Sequence, residues 1–351
     1  MGIFRRQHSP IGIVRDGDIV RLAQTCAHGK TVIAIASAEI QKCGGLAEAI
    51  CQARRSQPFR GRDAVLCIRA GDLQLLNVRA PLGDASDTTE AVLENIRGRL
   101  DCPDEFVSHF TEAGVVTQAQ VRRGEYVALS CHKQRIADAL AEAERAQLNT
   151  VAIDVEPGVI QRSFCRGRRR TADRKHSHAI LHLDAAGACL VLIENQRLML
   201  AKHVAVGSDE LNRAVADAMQ LSRDEATRVR SRVAMGRTSE DLRQAVAEAT
   251  RPQLERLARE LTMCTRYYTV TFRCQPPREL LLMGAEATTP IADFFAQRTG
   301  LECNLSNPLA LLSGVVVTQR ASQWELPLAL TVRGKELESS PALAPAMEVS
   351  A

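Results

Sequence analysis

GIVRDGDIVRLAQT, residues 12–25, decides how the chain is read. Two short β-rich runs, GIVR and DIVRL, meet at Asp16-Gly17. Asp-Gly between alternating apolar residues signals a tight hairpin, because Gly takes positive φ freely and Asp tolerates it. A glycine turn this close to the first strand of a large fold can also be what is left of a phosphate-binding loop, and the rest of the sequence has to separate the two.

A chain of 351 residues implies two domains or one two-lobed fold. Hydrophobic residues make up 45 % of it, enough for a packed core, and aromatics only 3 %, so the core must be Leu, Val, Ile and Ala. The formal charge of +4 is too mild to name nucleic acid as a partner. Eleven cysteines, none in CxxC spacing and many inside apolar runs, read as reduced core thiols. MGIFRRQHSP is not a secretory signal, Arg6 breaks the myristoylation pattern, and His182 and Asp184 interrupt the longest apolar run, so a cytoplasmic protein is expected.

Along the chain, KTVIAIASAEI reads as a strand and LAEAICQARR (46–55) as a helix through Leu46, Ile50 and Ala53. DAVLCI, LQLLNVRA and YVALSCH are β-rich, TTEAVLENIRGRL and QRIADALAEAERAQL are amphipathic helices, and NTVAIDVEPGVIQRSF is a strand followed by a helix. After the basic run 166–177, AILHLD, ACLVLIEN and RLMLAKHVAVG form three successive strands with turns at Ala186-Gly187 and Asn195-Gln196. Ser208 is read as one helix cap, Ser222 to Glu225 as a capping box, and Thr289 as the cap of a helix that Gly300 ends. Pro252 is expected to kink or divide a helix from about 239 to 268. RELLLMG is a buried strand and ELPLALTVRG a last helix.

These stretches, taken in order from IGIVRDGDIVRLAQ to RELLLMGAEATTPIADFFAQRTGLECNLSNPLALL, resemble the type IV pilus assembly PilM family, itself related to the actin-like division protein FtsA. The resemblance runs from about Ile11 to Gly334 and rests on the ordered series, not on one motif. It implies an α/β, two-lobed actin-like fold with ribonuclease H-like lobes. A first lobe is expected over 9–82 and 151–165, an inserted subdomain over 83–150 and a basic linker over 166–177. A second lobe over 178–335 has a helical insertion at about 208–275, and a disordered tail covers 336–351.

The family's first phosphate loop, D-I-G-[ST]-S-S-V-K, falls here on Val14, Asp16, Gly17, Asp18 and Ile19, with the basic residue kept as Arg21. Asp16 and Asp18 would repel phosphate. The second loop keeps Asp184, with Gly187 in the same turn, but loses the first glycine (Ala186 here) and both hydroxyls, and the adenosine-side motif keeps Gly284 and Ala287 but carries Glu286 where backbone should approach the nucleotide. Arg21, Asp184, Gly187 and Gly284 therefore read as a vestigial nucleotide site, with ATP and Mg²⁺ weakly bound if at all and no catalytic residue assigned. By the same resemblance the protein is a scaffold of a pilus or secretion platform at the inner face of the cytoplasmic membrane. There a groove between the first lobe and its insert takes the N-terminal peptide of PilN, a single-span membrane protein, and a homo-oligomer is compatible with the fold. A divergent ATPase whose nucleotide state regulates assembly is the alternative.

Three other features carry rival readings. His176, His178, His182 and Asp184 alternate as if on one strand face, which suits a metal site, although the HxHxDH pattern fails at Ile180. Arg166 to Arg170, with Arg174 and Lys175, is a soluble loop or a lipid-facing run, without aromatics to stack bases. Asp154 and Glu156 read either as an acid pair facing the cleft or as helix N-terminal carboxylates.

Overall fold

The computed structural model describes residues 8–118, 120–167, 176–310, 312–314 and 320–333. The opening stretch is a hairpin: β1 (Ile11–Asp16) pairs antiparallel with β2 (Ile19–Thr25), Asp16 opposite Ile19. The turn is Gly17-Asp18, one residue later than Asp-Gly alone suggests, with Gly17 at φ 57°. β3 (Val32–Glu39) continues the antiparallel run, and β4 (Asp63–Ile68) and β8 (Asn149–Val155) add parallel strands on the other side of β1. The order is β3-β2-β1-β4-β8. The short α1 (Ile40–Cys43), α2 (Leu46–Arg55) and α4 (Lys133–Arg145) lie on this sheet. Their apolar stripe, including Ala49, Ile50, Ala53 and Ala143, is buried with Ile11, Val20 and Leu22.

The second half repeats the plan. β9 (Ser177–Leu183), β10 (Ala188–Glu194) and β11 (Arg197–Val204) are antiparallel neighbours, and β12 (Glu279–Met283) and β13 (Glu302–Leu305) add parallel strands in the order β11-β10-β9-β12-β13. Equal strand order and equal direction at each pairing make the two lobes copies of one topology, the actin-like arrangement. Every position of β9 is buried, so it reads as a continuous apolar run rather than an alternating one. α5 (Glu156–Gly167) connects the lobes. α6 (Ser208–Met219), α7 (Arg223–Ala234) and α8 (Glu240–Phe272) form the helical insertion, and α9 (Thr289–Thr299) covers the second sheet.

The remaining strands form a third sheet, β5-β7-β6, from β5 (Leu73–Pro81), β6 (Phe106–Gln118) and β7 (Val121–His132), with α3 (Ala85–Arg97) on one face. Its other face joins the second lobe: Ala113, Val127 and Leu129 share a core with Leu200 and Ala201. Glu125 accepts hydrogen bonds from Tyr267 of α8 and from Arg79 of β5 (2.6 Å).

Several expectations change. The insert begins before position 83, because β5 belongs to its sheet, and ends before 150, because α4 packs on the first lobe. α10 (Glu325–Leu330), placed by the sequence reading in the second lobe, returns to the first, where the backbone of Pro327 seats against Gly12 and Thr25 donates to Thr331 (3.0 Å). Ser208 lies one residue inside its helix, which Gly207 caps, and Thr288 caps α9 in place of Thr289. Pro252 does not divide α8, which runs from Glu240 to Phe272. Proline removes one backbone donor, and the buried stripe Leu254, Leu257 and Leu261 holds the helix on both sides of that defect. The basic residues 168–170, 174 and 175 and the tail 336–351 lie outside the described residues.

Candidate functional site: the cleft between the lobes

The loops that would hold a nucleotide are the β1–β2 turn, the β9–β10 turn and the segment after β12. They meet each other directly. Asp16 ends β1, and its carboxylate accepts the Ala185 N–H across the cleft at 2.7 Å. A Cβ on Gly17 would lie 2.7 Å from the Ala185 Cβ, so the turns are in contact. Asp184, just past β9, accepts the Ala285 N–H at 2.7 Å. Glu286 accepts from the Ser208 hydroxyl (2.7 Å) and pairs with Arg230 of α7. In each case a carboxylate of the chain takes the donor or cation that an anionic ligand would need.

Arg69, the residue after β4, joins these loops. Its guanidinium donates to Glu156 through Nε (2.9 Å) and Nη2 (3.2 Å), and to Asp184 through Nη1 (3.2 Å), and it lies 4.0 Å from Asp16. Arg21 pairs with the far oxygen of Asp16 at 2.5 Å. His182, 1 % exposed, contacts Glu156 through Nδ1 (2.8 Å) and Asp184 through Nε2 (3.4 Å). Burial opposes the charged imidazole, but Asp184 and then Glu156 outweigh it and raise the His182 pKa. Burial likewise opposes ionisation of Glu156, which Arg69, His182 and the Ala70 N–H overcome, holding the carboxyl well below the usual range. Asp184 is also lowered: His182 and the arginines outweigh its burial. Asp16 is raised, by burial first and then by the Asp184 carboxylate. With His182 protonated, Arg21, Arg69 and His182 balance Asp16, Glu156 and Asp184.

The sequence-predicted residues divide accordingly. Arg21 and Asp184 belong to this network. Gly187 lies under the His203 ring, where a Cβ would be 2.4 Å from Nε2, and Gly284, at φ 94°, turns the chain beneath Leu183. Asp154 and Glu156 are not an acid pair: Asp154 binds Arg162 (2.5 Å), while Glu156 faces Arg69. Nor do the histidines make a metal site. His176 is exposed before β9, His178 pairs with Glu279 and packs at a tilt against Phe164 (4.8 Å), and His182 is held by two carboxylates. Among the described residues no His/Cys/Asp/Glu cluster could hold a metal. Arg69 and Arg230 escaped sequence reading. A lone arginine ending the apolar run AVLCI was the available signal for Arg69; Arg230, in a helix rich in arginine, gave none.

The loops present ATP·Mg²⁺ with a weakened cradle. The Ala185 and Ala285 amides are bound by Asp16 and Asp184, and Glu286 stands on the adenosine side. A cavity of about 460 Å³ remains between the β1–β2 and β9–β10 turns, where Asp16, Asp72 and Glu156 line it together with Arg15, Arg69 and Arg135. Arg135 is itself paired with Asp72 at 2.6 Å.

The network has a pH signature. A raised histidine contributes stability that is complete below its unfolded pKa of about 6.5 and is lost as pH rises through the folded value. The depressed Glu156 and Asp184 contribute above about 4, and their share is lost on acidification. The wild type is expected to lose stability above neutrality relative to His182→Gln. Urea melts of both proteins from pH 6 to 9 check this. Their difference removes Cys26, whose thiol is drawn down to about 7 and titrates in the same window in both. Parallel curves would show that His182 is not held as the imidazolium.

The comparisons agree with this architecture. The model of the family described as "Type IV pilus assembly protein PilM" matches residues 29–328. Among solved structures, the PilM-PilN type IV pilus biogenesis complex is similar at TM-score 0.77 and 16 % identity, over 93 % of this chain and 99 % of that one. The ethanolamine utilization protein EutJ from Carboxydothermus hydrogenoformans is similar at TM-score 0.54 and 11 % identity, over 94 % of this chain and 91 % of that one. No curated protein matches the sequence. With the family model spanning most of the chain and the doubled sheet matching throughout, the chain belongs to the type IV pilus assembly protein PilM family.

Proposed function

We propose that this protein is an actin-like adaptor of a type IV pilus or related secretion machine, binding the cytoplasmic N-terminal peptide of a PilN-like single-span membrane protein. The observation that carries the reading is the coexistence of nucleotide loops tied up by the chain's own carboxylates with a partly exposed apolar seam elsewhere. Between the first lobe and the insert, Ile68, Leu73 and Cys131 form a small core ringed by the partly exposed Leu75, Ile136, Ala139, Ile153 and Val155. β8 beside it is an edge strand, paired only with β4 among the described strands. An extended peptide can add to such an edge through its main chain and place alternate side chains on the apolar rim. The helix α4, which supplies Ile136 and Ala139, lines this seam as well. No helix of the described residues is long and apolar enough to cross a membrane, and in this reading the single span belongs to the partner.

The test is a titration with N-terminal peptides of single-span membrane proteins encoded beside this gene. Micromolar binding is expected, weakly dependent on salt and unchanged by ATP and Mg²⁺, and Ile136→Asp should weaken it by about tenfold or more, as loss of an apolar anchor does. Binding that follows the nucleotide would favour the divergent ATPase. No binding by the folded protein would remove the adaptor role.

A further inference from the structure

The long helix α8 has a second face. Its inner side carries Leu254, Leu257, Ala258, Leu261, Cys264 and Tyr268, all buried. Opposite them, Arg256, Arg259, Met263, Arg266, Val270 and Arg273 are all exposed. The alternating spacing of three and four keeps the helical members, Arg256 to Val270, within about 80° of the helix circumference over ~21 Å, and Arg273, the left-handed residue at φ 52° that ends the helix, follows just past it. Met263 is 53 % exposed and Val270 71 %, the highest value among the large apolar side chains of the described residues. The acidic neighbours do not neutralise the row. Glu255 pairs with Arg298 (2.7 Å) and Glu260 with Lys202 (2.5 Å), both at the shoulders of the helix. None of the four arginines has an ion-pair partner among the described residues.

Unpaired arginines cost little on a surface, since water solvates them. An exposed Met and Val in the same line are different, because each leaves apolar area in water at the centre of a cationic strip. The two together match an anionic bilayer, where guanidinium groups meet lipid phosphates and the intervening apolar side chains enter the headgroup boundary. An acidic protein is a poorer fit. The row lies along one helix face, and no aromatic side chain lies within it to anchor a specific partner. We propose that the outer face of α8 docks on an anionic lipid surface through Arg256, Arg259, Arg266 and Arg273, with Met263 and Val270 inserted between the headgroups. This contact is independent of the peptide seam and can be tested without a PilN-like partner.

The experiment is co-sedimentation of the full chain with phosphatidylcholine vesicles, with and without phosphatidylglycerol. Binding is expected only with phosphatidylglycerol and should fall steeply with salt. Each arginine near the surface is worth about fivefold in partitioning, so R256Q/R259Q/R266Q/R273Q together should lose at least about a hundredfold. Four exposed arginines elsewhere, R55Q/R97Q/R122Q/R237Q, control for net charge and should lose far less. The chain's single tryptophan, Trp324, is buried, so Met263→Trp adds a reporter whose emission should shift to the blue on binding. All these sites are exposed, and unchanged melting confirms folding. Equal losses in the two quadruple variants, no preference for the anionic vesicle, or no spectral shift at position 263 would each overturn the proposal. So would binding of polyglutamate by this row in a protein that ignores vesicles, which would assign the face to an acidic protein.

Discussion

Replacing Arg69 with methionine is expected to destabilise the protein by about 3–5 kcal/mol, the usual cost of stripping one partner from a buried charge cluster. Arg69 donates to Glu156 and Asp184 and lies 4.0 Å from Asp16, so one substitution leaves Glu156 with only His182 as a cationic partner and removes a counter-charge from both aspartates. Glu156 is 2 % exposed and cannot turn to water for compensation. Arg69→Lys keeps the charge, but a single ammonium cannot reach the same set of oxygens in the same geometry, so an intermediate loss is expected. Urea midpoints of the three proteins measure this. Hydrogen exchange gives a second readout. The Ala185 and Ala285 amides are held by Asp16 and Asp184, so both should exchange faster in Arg69→Met while the amides of β9, deeper in the sheet, follow global unfolding. A loss below about 1 kcal/mol with unchanged exchange at these two amides would mean that the lobes do not depend on the cluster.

The fold was largely legible in the sequence, and the reasons are local. The opening hairpin, its turn shifted by one residue to Gly17-Asp18, the Asn195-Gln196 turn, with both residues at positive φ, and the Ser222–Glu225 capping box are short-range signals that formed. Domain boundaries were less legible. The β5 strand carries the same β-rich pattern as its neighbours, and nothing local says that it leaves the first sheet to pair with β7, about fifty residues later. α10 likewise shows only an apolar helix; its return to the first lobe depends on Gly12, whose missing side chain admits the Pro327 carbonyl.

The site was legible by subtraction. Asp16, Asp18 and Glu286 are wrong for a nucleotide loop, and that much follows from charge alone. What replaced the ligand did not follow, because it rests on contacts between residues more than a hundred positions apart, such as Arg69 with Asp184 and Asp16 with Ala185. The histidine series left its rival metal reading open for the opposite reason. Even spacing does set His178 and His182 on the same side of β9, but a glutamate from the next strand takes one and a glutamate from α5 takes the other.

Gly207→Ala is expected to cost about 3 kcal/mol, at the upper end for an overpacked site. Gly207 lies where the chain leaving β11 crosses the β9–β10 turn. A Cβ there would sit 2.3 Å from the Ala185 carbonyl oxygen, 2.4 Å from that of Asp184 and 2.6 Å from the Gly187 nitrogen. All three are backbone atoms, so no rotamer change relieves the clash. They are also tied into the loop, because Asp184 and Ala185 accept the Ser208 and Asp209 amides at 2.9 and 3.1 Å. The φ of −141° is ordinary, so the demand for glycine comes from close approach, and a D-residue or an added methyl elsewhere does not test it. Gly236→Ala is the matched comparison: it has φ 68° and nothing within 4 Å of the place its methyl would take, so only the backbone cost of about 1 kcal/mol applies. The same crossing supports the Ala185 amide that Asp16 binds from the other lobe. Gly207→Ala should therefore loosen the interlobe contact as well as the loop, and combining it with Arg69→Met should cost less than the sum of the two, since both release one junction. Strict additivity in urea melts would separate the loop from the cluster and show that the two lobes are joined at independent points.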